Sequence, residues 1–146
     1  MRWHPISGVN SDAIDSPYLL EGRDREQVEI QLKRRGFRLE SVDARNIRSE
    51  RDASLAVGRA LGYPSFYRGG WDAFFDLLST EFQEHPRTLV VGISNADEFA
   101  HGNLRLFVKT CWHLLNATET IESEGGGGWQ LEFIYWGNWK RNEDVD

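Results

Sequence analysis

Asp72 and Asp76 are the residues in this chain whose type and spacing most invite chemistry. Set Trp71 at zero on a helical wheel and advance about 100° per residue. Trp71, Phe74, Leu77, Leu78 and Phe82 then gather in one apolar arc. Asp72, Asp76 and Ser79 fall in the neighbouring arc, and Phe75 lies on the border. Two carboxylates one turn apart project from the same helix face. Across residues 69–86 there are four acids, Asp72, Asp76, Glu81 and Glu84, and no Lys or Arg. Asp72 sits near the helix N-terminus, where the dipole favours negative charge. Asp76 sits mid-helix, where Asp is a poor helix former. Like charges at this spacing repel by about 0.2–0.5 kcal/mol. A cationic partner would relieve that repulsion. The plainer explanation is a solvated acidic face, because acids on helix surfaces are common.

Other chemistries fit less well. Catalytic carboxylate pairs usually converge on a cleft from separate elements, whereas two acids on one short helix face point outward together. Cys111 and His113 are the only close Cys/His pair, and two positions along a helix set them about 200° apart, which is poor metal geometry. Cys111 is expected in the core and His113 on the surface. Residues 125–128 are all glycine but lack the Lys and Ser/Thr of a phosphate loop and precede a strand. Trp129, Tyr135, Trp136 and Trp139 could stack bases; as core and sheet-edge aromatics, with Trp139 covering apolar surface, they need no ligand. Asn116-Ala117-Thr118 matches a glycosylation sequon, which is incidental in a cytosolic protein. No cofactor or metal is expected.

The elements that carry these residues can be read from periodicity and breakers. Residues 1–22 hold Pro5, Gly8, Pro17 and Gly22 and are expected to form an irregular arm. Residues 24–35 read as a helix through Val28, Ile30 and Leu32, stopped by Gly36. Residues 37–42 alternate as a short strand. Ser49 can cap a following helix, with Asp52 completing an acidic capping pattern. Residues 62–70, with Pro64 and the Gly69-Gly70 pair, form a loop. The acidic helix spans 71–82. Residues 88–93, TLVVGI, read as a fully buried strand. One helical turn at 97–100 and a helix over 103–117 follow. Residues 131–136, LEFIYW, form a strand rich in aromatic and β-branched types. Three strands separated by helices predict an α/β fold with a small three-stranded parallel sheet packed with helices, plus an extra N-terminal helix.

Bulk properties narrow the function. The 146 residues suit one domain. Net charge is −6 and the sequence pI is about 5.2, so phosphate backbones are repelled and basic partners are attracted. Direct nucleic-acid binding is therefore not expected. Cys111 is the only cysteine, which fits a reducing cytosol. The N-terminus lacks the apolar region of a secretion signal. No apolar run is long enough to cross a bilayer. A cytoplasmic, membrane-free protein is the expectation.

The stretch Leu61-Gly62-Tyr63-Pro64-Ser65-Phe66-Tyr67-Arg68-Gly69-Gly70-Trp71-Asp72-Ala73-Phe74-Phe75-Asp76-Leu77-Leu78 resembles the signature of the barstar family, small cytosolic inhibitors of microbial ribonucleases. An aromatic pair, a glycine-containing loop and an Asp-Ala-hydrophobic-aromatic-Asp run are all in register. The resemblance implies a barstar-like domain over 37–136, flanked by an N-terminal arm and helix (1–36) and a polar tail (137–146). It implies that the loop and acidic helix occlude the basic active site of an extracellular or toxin-type microbial ribonuclease, with the carboxylates in place of the RNA phosphate. Asp76 matches the central inhibitory position and Asp72 the second. Phe66 and Tyr67 match the aromatic pair, and Phe75 an interface aromatic. Trp71, Gly70, Arg68 and Ser79 complete the expected partner-binding surface. Arg68 stands where Gly is usual, and Gly70 where Asn is common. The implied function is ribonuclease inhibition, or toxin immunity and protein interaction directed at another target.

Overall fold

Four strands form the sheet, one more than the sequence reading predicts. The computed structural model describes residues 6, 9–10, 12–13, 15–125 and 128–140. The strands are β1 (Tyr18–Glu21), β2 (Arg38–Asp43), β3 (Thr88–Ser94) and β4 (Gln130–Gly137). The helices are α1 (Arg25–Arg34), α2 (Glu50–Ala60), α3 (Trp71–Glu84), α4 (Ala96–Gly102) and α5 (Leu104–Glu124). The strand order is β1-β4-β3-β2, and every pairing is parallel.

The extra strand comes from the stretch read as an irregular arm. Tyr18 to Glu21 pair with Ile134 to Gly137 at the edge of the sheet. Only four residues long and bounded by Pro17 and Gly22, it shows no period to detect. The same stretch also supplies Ile6, Val9 and Ala13 to the core, so it is built into the fold.

The helices divide between the two sheet faces. On one face α1 packs Val28 and Leu32 over Leu20, Val90, Ile134 and Trp136. Ile30, expected on the apolar side of that helix, faces solvent because it lies two positions from each of its buried neighbours. On the other face α2, α3 and α5 cover Leu89, Val91, Ile93, Leu131, Phe133 and Tyr135. Handedness explains the division. The chain crosses from β1 to β2 in one direction through α1 and returns through β3 and β4 in the other. A right-handed crossover then demands opposite faces for the two journeys.

Several boundaries move outward. The acidic helix runs to Glu84, the single turn at 97–100 is the full α4, and α5 continues to Glu124. The Ser49 cap forms as expected, with its Oγ accepting from Asp52 N at 3.1 Å. The Asp52 carboxylate in turn accepts from Arg48 N at 3.0 Å. The polar tail begins later than expected. Gly137 still belongs to β4, and Trp139 packs on the core with its Nε1 donating to the Tyr135 carbonyl at 3.0 Å. Residues 141–146 of that tail lie outside the described residues.

Candidate functional site

The loop ahead of α3 is held by hydroxyls reaching buried backbone. Tyr63 Oη donates to the Phe74 carbonyl at 2.7 Å, tying the loop to the first turn of α3. Tyr67 Oη donates to the Ser54 carbonyl at 3.0 Å, with the Gly70 carbonyl 3.3 Å away. Ser54 Oγ accepts from Gly70 N at 2.7 Å and donates to the Arg51 carbonyl at 3.0 Å. The two tyrosine rings meet edge to face, 5.1 Å between centroids. They lie against Gly58 on α2, where a Cβ would come within 2.5 Å of Tyr67 and 2.8 Å of Tyr63. Glycine in mid-helix costs about 1 kcal/mol relative to Ala, and here it admits the two rings that carry the loop.

The two members of the aromatic pair differ in exposure. Phe66 is 69 % exposed and free to meet a partner, but Tyr67 is only 5 % exposed. Tyr67 is a positioning residue, because its hydroxyl is committed to backbone on α2 and at the start of α3. Gly70, where Asn is the commoner residue, has φ 97° and ψ 135°, a conformation open essentially to glycine. Gly69 likewise sits at φ 92°. Arg51 Nη1 donates to the Arg68 carbonyl at 2.9 Å, and Arg68 Nη1 turns back toward the Ser65 carbonyl at 3.4 Å. Arg68 is exposed.

On α3 the predicted arcs are realised. Phe74, Leu78 and Phe82 are buried, Leu77 is half-buried against the core, and Asp72 and Asp76 are exposed. Neither aspartate has a side-chain hydrogen bond or ion pair among the described residues. Glu81 differs from them. It meets Arg87 at 3.7 Å, and Arg87 also donates to the Leu61 carbonyl at 2.8 Å and lies over the Phe82 ring. Burial pushes Glu81 up and Arg87 down, and each charge pulls the other back. Glu81 therefore belongs to the fold, and the solvent-facing acids of α3 are Asp72, Asp76 and Glu84.

The flank of α3 that meets α5 carries the remaining expected residues. The Trp71 ring stacks on His113 at 4.4 Å between centroids and 17° between planes. Phe75 lies 6.5 Å from the same imidazole. The Ser79 hydroxyl donates to the Glu124 carboxylate, so Ser79 also serves the α3–α5 contact. His113 is half-buried, not a free surface residue, because Trp71 covers one face of its ring. Burial lowers its pKa, with Glu50 at 3.8 Å acting in the opposite direction. Burial thus favours the neutral imidazole. Trp71 Nε1 is buried without an acceptor among the described residues.

The sequence reading missed Ser54, Gly58, Tyr63, Arg51 and His113 as parts of this site. Gly58 alone left a signal, a glycine inside an otherwise regular helix. The others act across contacts that depend on how α2 and α5 pass the loop.

The competing chemistries have their own placements. Among the described residues no three His, Cys, Asp or Glu side chains cluster as a metal site. Burial pushes the Cys111 thiol up to about 11, which leaves little thiolate for nucleophilic work. Tyr135 and Trp136 are buried on opposite faces of the sheet. Ala117 and Thr118 of the sequon are buried within α5. No helix among the described residues is long and apolar enough to cross a membrane.

Comparison with known proteins agrees with the geometry. No curated protein matches the chain. The family model described as barstar (barnase inhibitor) matches residues 37–131, a span that takes in β2, the hydroxyl-anchored loop, the acidic α3, β3 and α5. That span is well over half of the sequence, and the chain belongs to the barstar family.

Proposed function

We propose that this chain is a stoichiometric inhibitor of a basic microbial ribonuclease and protects the cell that makes it from the enzyme. The observation that carries the proposal is the pair Asp72 and Asp76, exposed and without partners among the described residues, on a helix anchored by buried hydroxyls. In this reading α3 and its loop enter the ribonuclease cleft. Asp76 meets the cations that would hold the RNA phosphate, and Asp72 supports it. Phe66, Phe75 and Trp71 supply apolar contact around them, with Arg68, Gly70 and Ser79 at the margin. Catalysis by the chain itself forms no part of the mechanism. The net charge of −6 assists encounter with a basic enzyme.

RNA cleavage by candidate ribonucleases, measured with and without the protein, tests the proposal. Inhibition should saturate at one equivalent, and Asp76→Ala should weaken it by about 2–5 kcal/mol, as for a desolvated charge pair that loses one member. Affinity unchanged by Asp76→Ala would remove the central claim. A second reading is an interaction module or immunity protein whose target is not a ribonuclease. The cations Arg51 and Arg68 at the loop ahead of the aspartates favour it, since they suit a target of mixed charge. A pull-down that returns a partner without ribonuclease activity, bound through α3, would select it.

A further inference from the structure

The outer face of α5 carries three large exposed apolar side chains, of which Trp112 also meets the His113 ring edge to face at 5.0 Å between centroids. Leu104, Val108 and Trp112 are 63, 56 and 60 % exposed. Four positions apart in succession, they form a single stripe along the helix. His113, and not Trp112, is the residue of α5 that stacks on α3. Large contiguous exposed apolar surface marks interaction sites.

Charge around the stripe indicates what fits it. The N-terminal half of α5 carries exposed Arg105 and Lys109, and the C-terminal half exposed Glu119 and Glu122. Arg105 and Glu119 lie at equal separations before and after Trp112. At about 100° per residue both point within about 20° of its direction. Neither has a side-chain partner among the described residues. A twofold axis at Trp112 would therefore lay a second α5 antiparallel on the first. Arg105 of each copy would face Glu119 of the other, the two Trp112 rings would pack together, and Val108 would lie against Asn116 beside them. Opposed helix dipoles favour the same arrangement.

We propose that the outer face of α5 is a homodimer interface, in which a second copy of this chain docks antiparallel on Val108 and Trp112 with reciprocal Arg105–Glu119 pairs. A contact through one helix face lies at the small end of protein interfaces, so the dimer is reversible and concentration-dependent. The α3 site takes no part in it, and ribonuclease inhibition is not its readout.

Sedimentation velocity of the full chain, from micromolar to near-millimolar concentration, tests the proposal. The sedimentation coefficient should rise from a monomer to a dimer value. Trp112→Ala should weaken association at least about tenfold, as expected for a central aromatic anchor. Because these side chains are exposed, the variants should fold, which circular dichroism checks. Arg105→Glu should weaken association, and Arg105→Glu combined with Glu119→Arg should restore it. A chain that stays monomeric throughout, a dimer indifferent to Trp112→Ala, or a double charge swap that restores nothing would overturn the proposal.

Discussion

Replacing Glu132 by Gln should stabilise the protein above neutral pH and leave it nearly unchanged in mild acid. Glu132 lies on β4 beside Val90 of β3, on the sheet face turned toward α1. It is only 2 % exposed. Gln130 Nε2 donates to its carboxyl at 3.0 Å, and no Arg or Lys pairs with it among the described residues. Burial pushes its pKa up from 4.5 to about 7, with the Gln130 hydrogen bond opposing and the Glu122 charge adding to the rise. Between those values the folded chain holds a proton that the unfolded chain has released. Stability therefore falls as pH rises through that window. At about 1.4 kcal/mol per unit, the full effect is roughly 3 kcal/mol. Urea unfolding of parent and Glu132→Gln at pH 4.5 and pH 8 measures it. The difference between the proteins cancels His113, whose lowered pKa acts in the opposite sense by costing stability as pH falls. Expected is a gain of about 2–3 kcal/mol at pH 8 and about zero at pH 4.5, or a midpoint shift of about 1–2 M urea at the higher pH. A difference that stays constant between the two pH values would refute the reasoning.

Other perturbations probe the site. Gly58→Ala drives a methyl into Tyr67 and Tyr63 and should cost about 1–3 kcal/mol by overpacking; unchanged denaturant midpoints would contradict it. Ser54→Ala leaves the Gly70 N–H without its acceptor and should cost about 1–3 kcal/mol, read as faster hydrogen exchange at Gly70. Asp76→Ala should raise folding stability by about 0.5 kcal/mol, because Ala is the better helix former in mid-helix and repulsion from Asp72 is relieved, while weakening association with the proposed target. Loss of both stability and association would argue instead that Asp76 holds the helix. Added salt should slow that association, because steering is screened; a salt-insensitive on-rate would count against an electrostatic plug.

The acidic face was legible because α3 obeys the helical period over its whole length, so buried and exposed positions separate cleanly at Phe74, Leu78 and Phe82 against Asp72 and Asp76. What holds that face in place was not. Tyr67 to Ser54, Gly70 to Ser54 and Trp71 to His113 are contacts between elements, and local pattern carries no record of them. Hydroxyls bound to buried backbone fix the loop directly ahead of the helix that carries the two unpaired aspartates. The missing strand is a different case. β1 has too few residues to declare itself, yet β4 carries a sign of it. Leu131 through Trp136 are buried on both faces of the sheet, as are Leu89 through Ile93 of β3. Edge β2 instead mixes Arg38, Glu40 and Ser41, all exposed, with its apolar residues. Continuous apolarity belongs to interior parallel strands, and two interior strands require two flanking edges. The sheet therefore needed a fourth strand beside β4, and Tyr18–Glu21 is the segment that fills that edge.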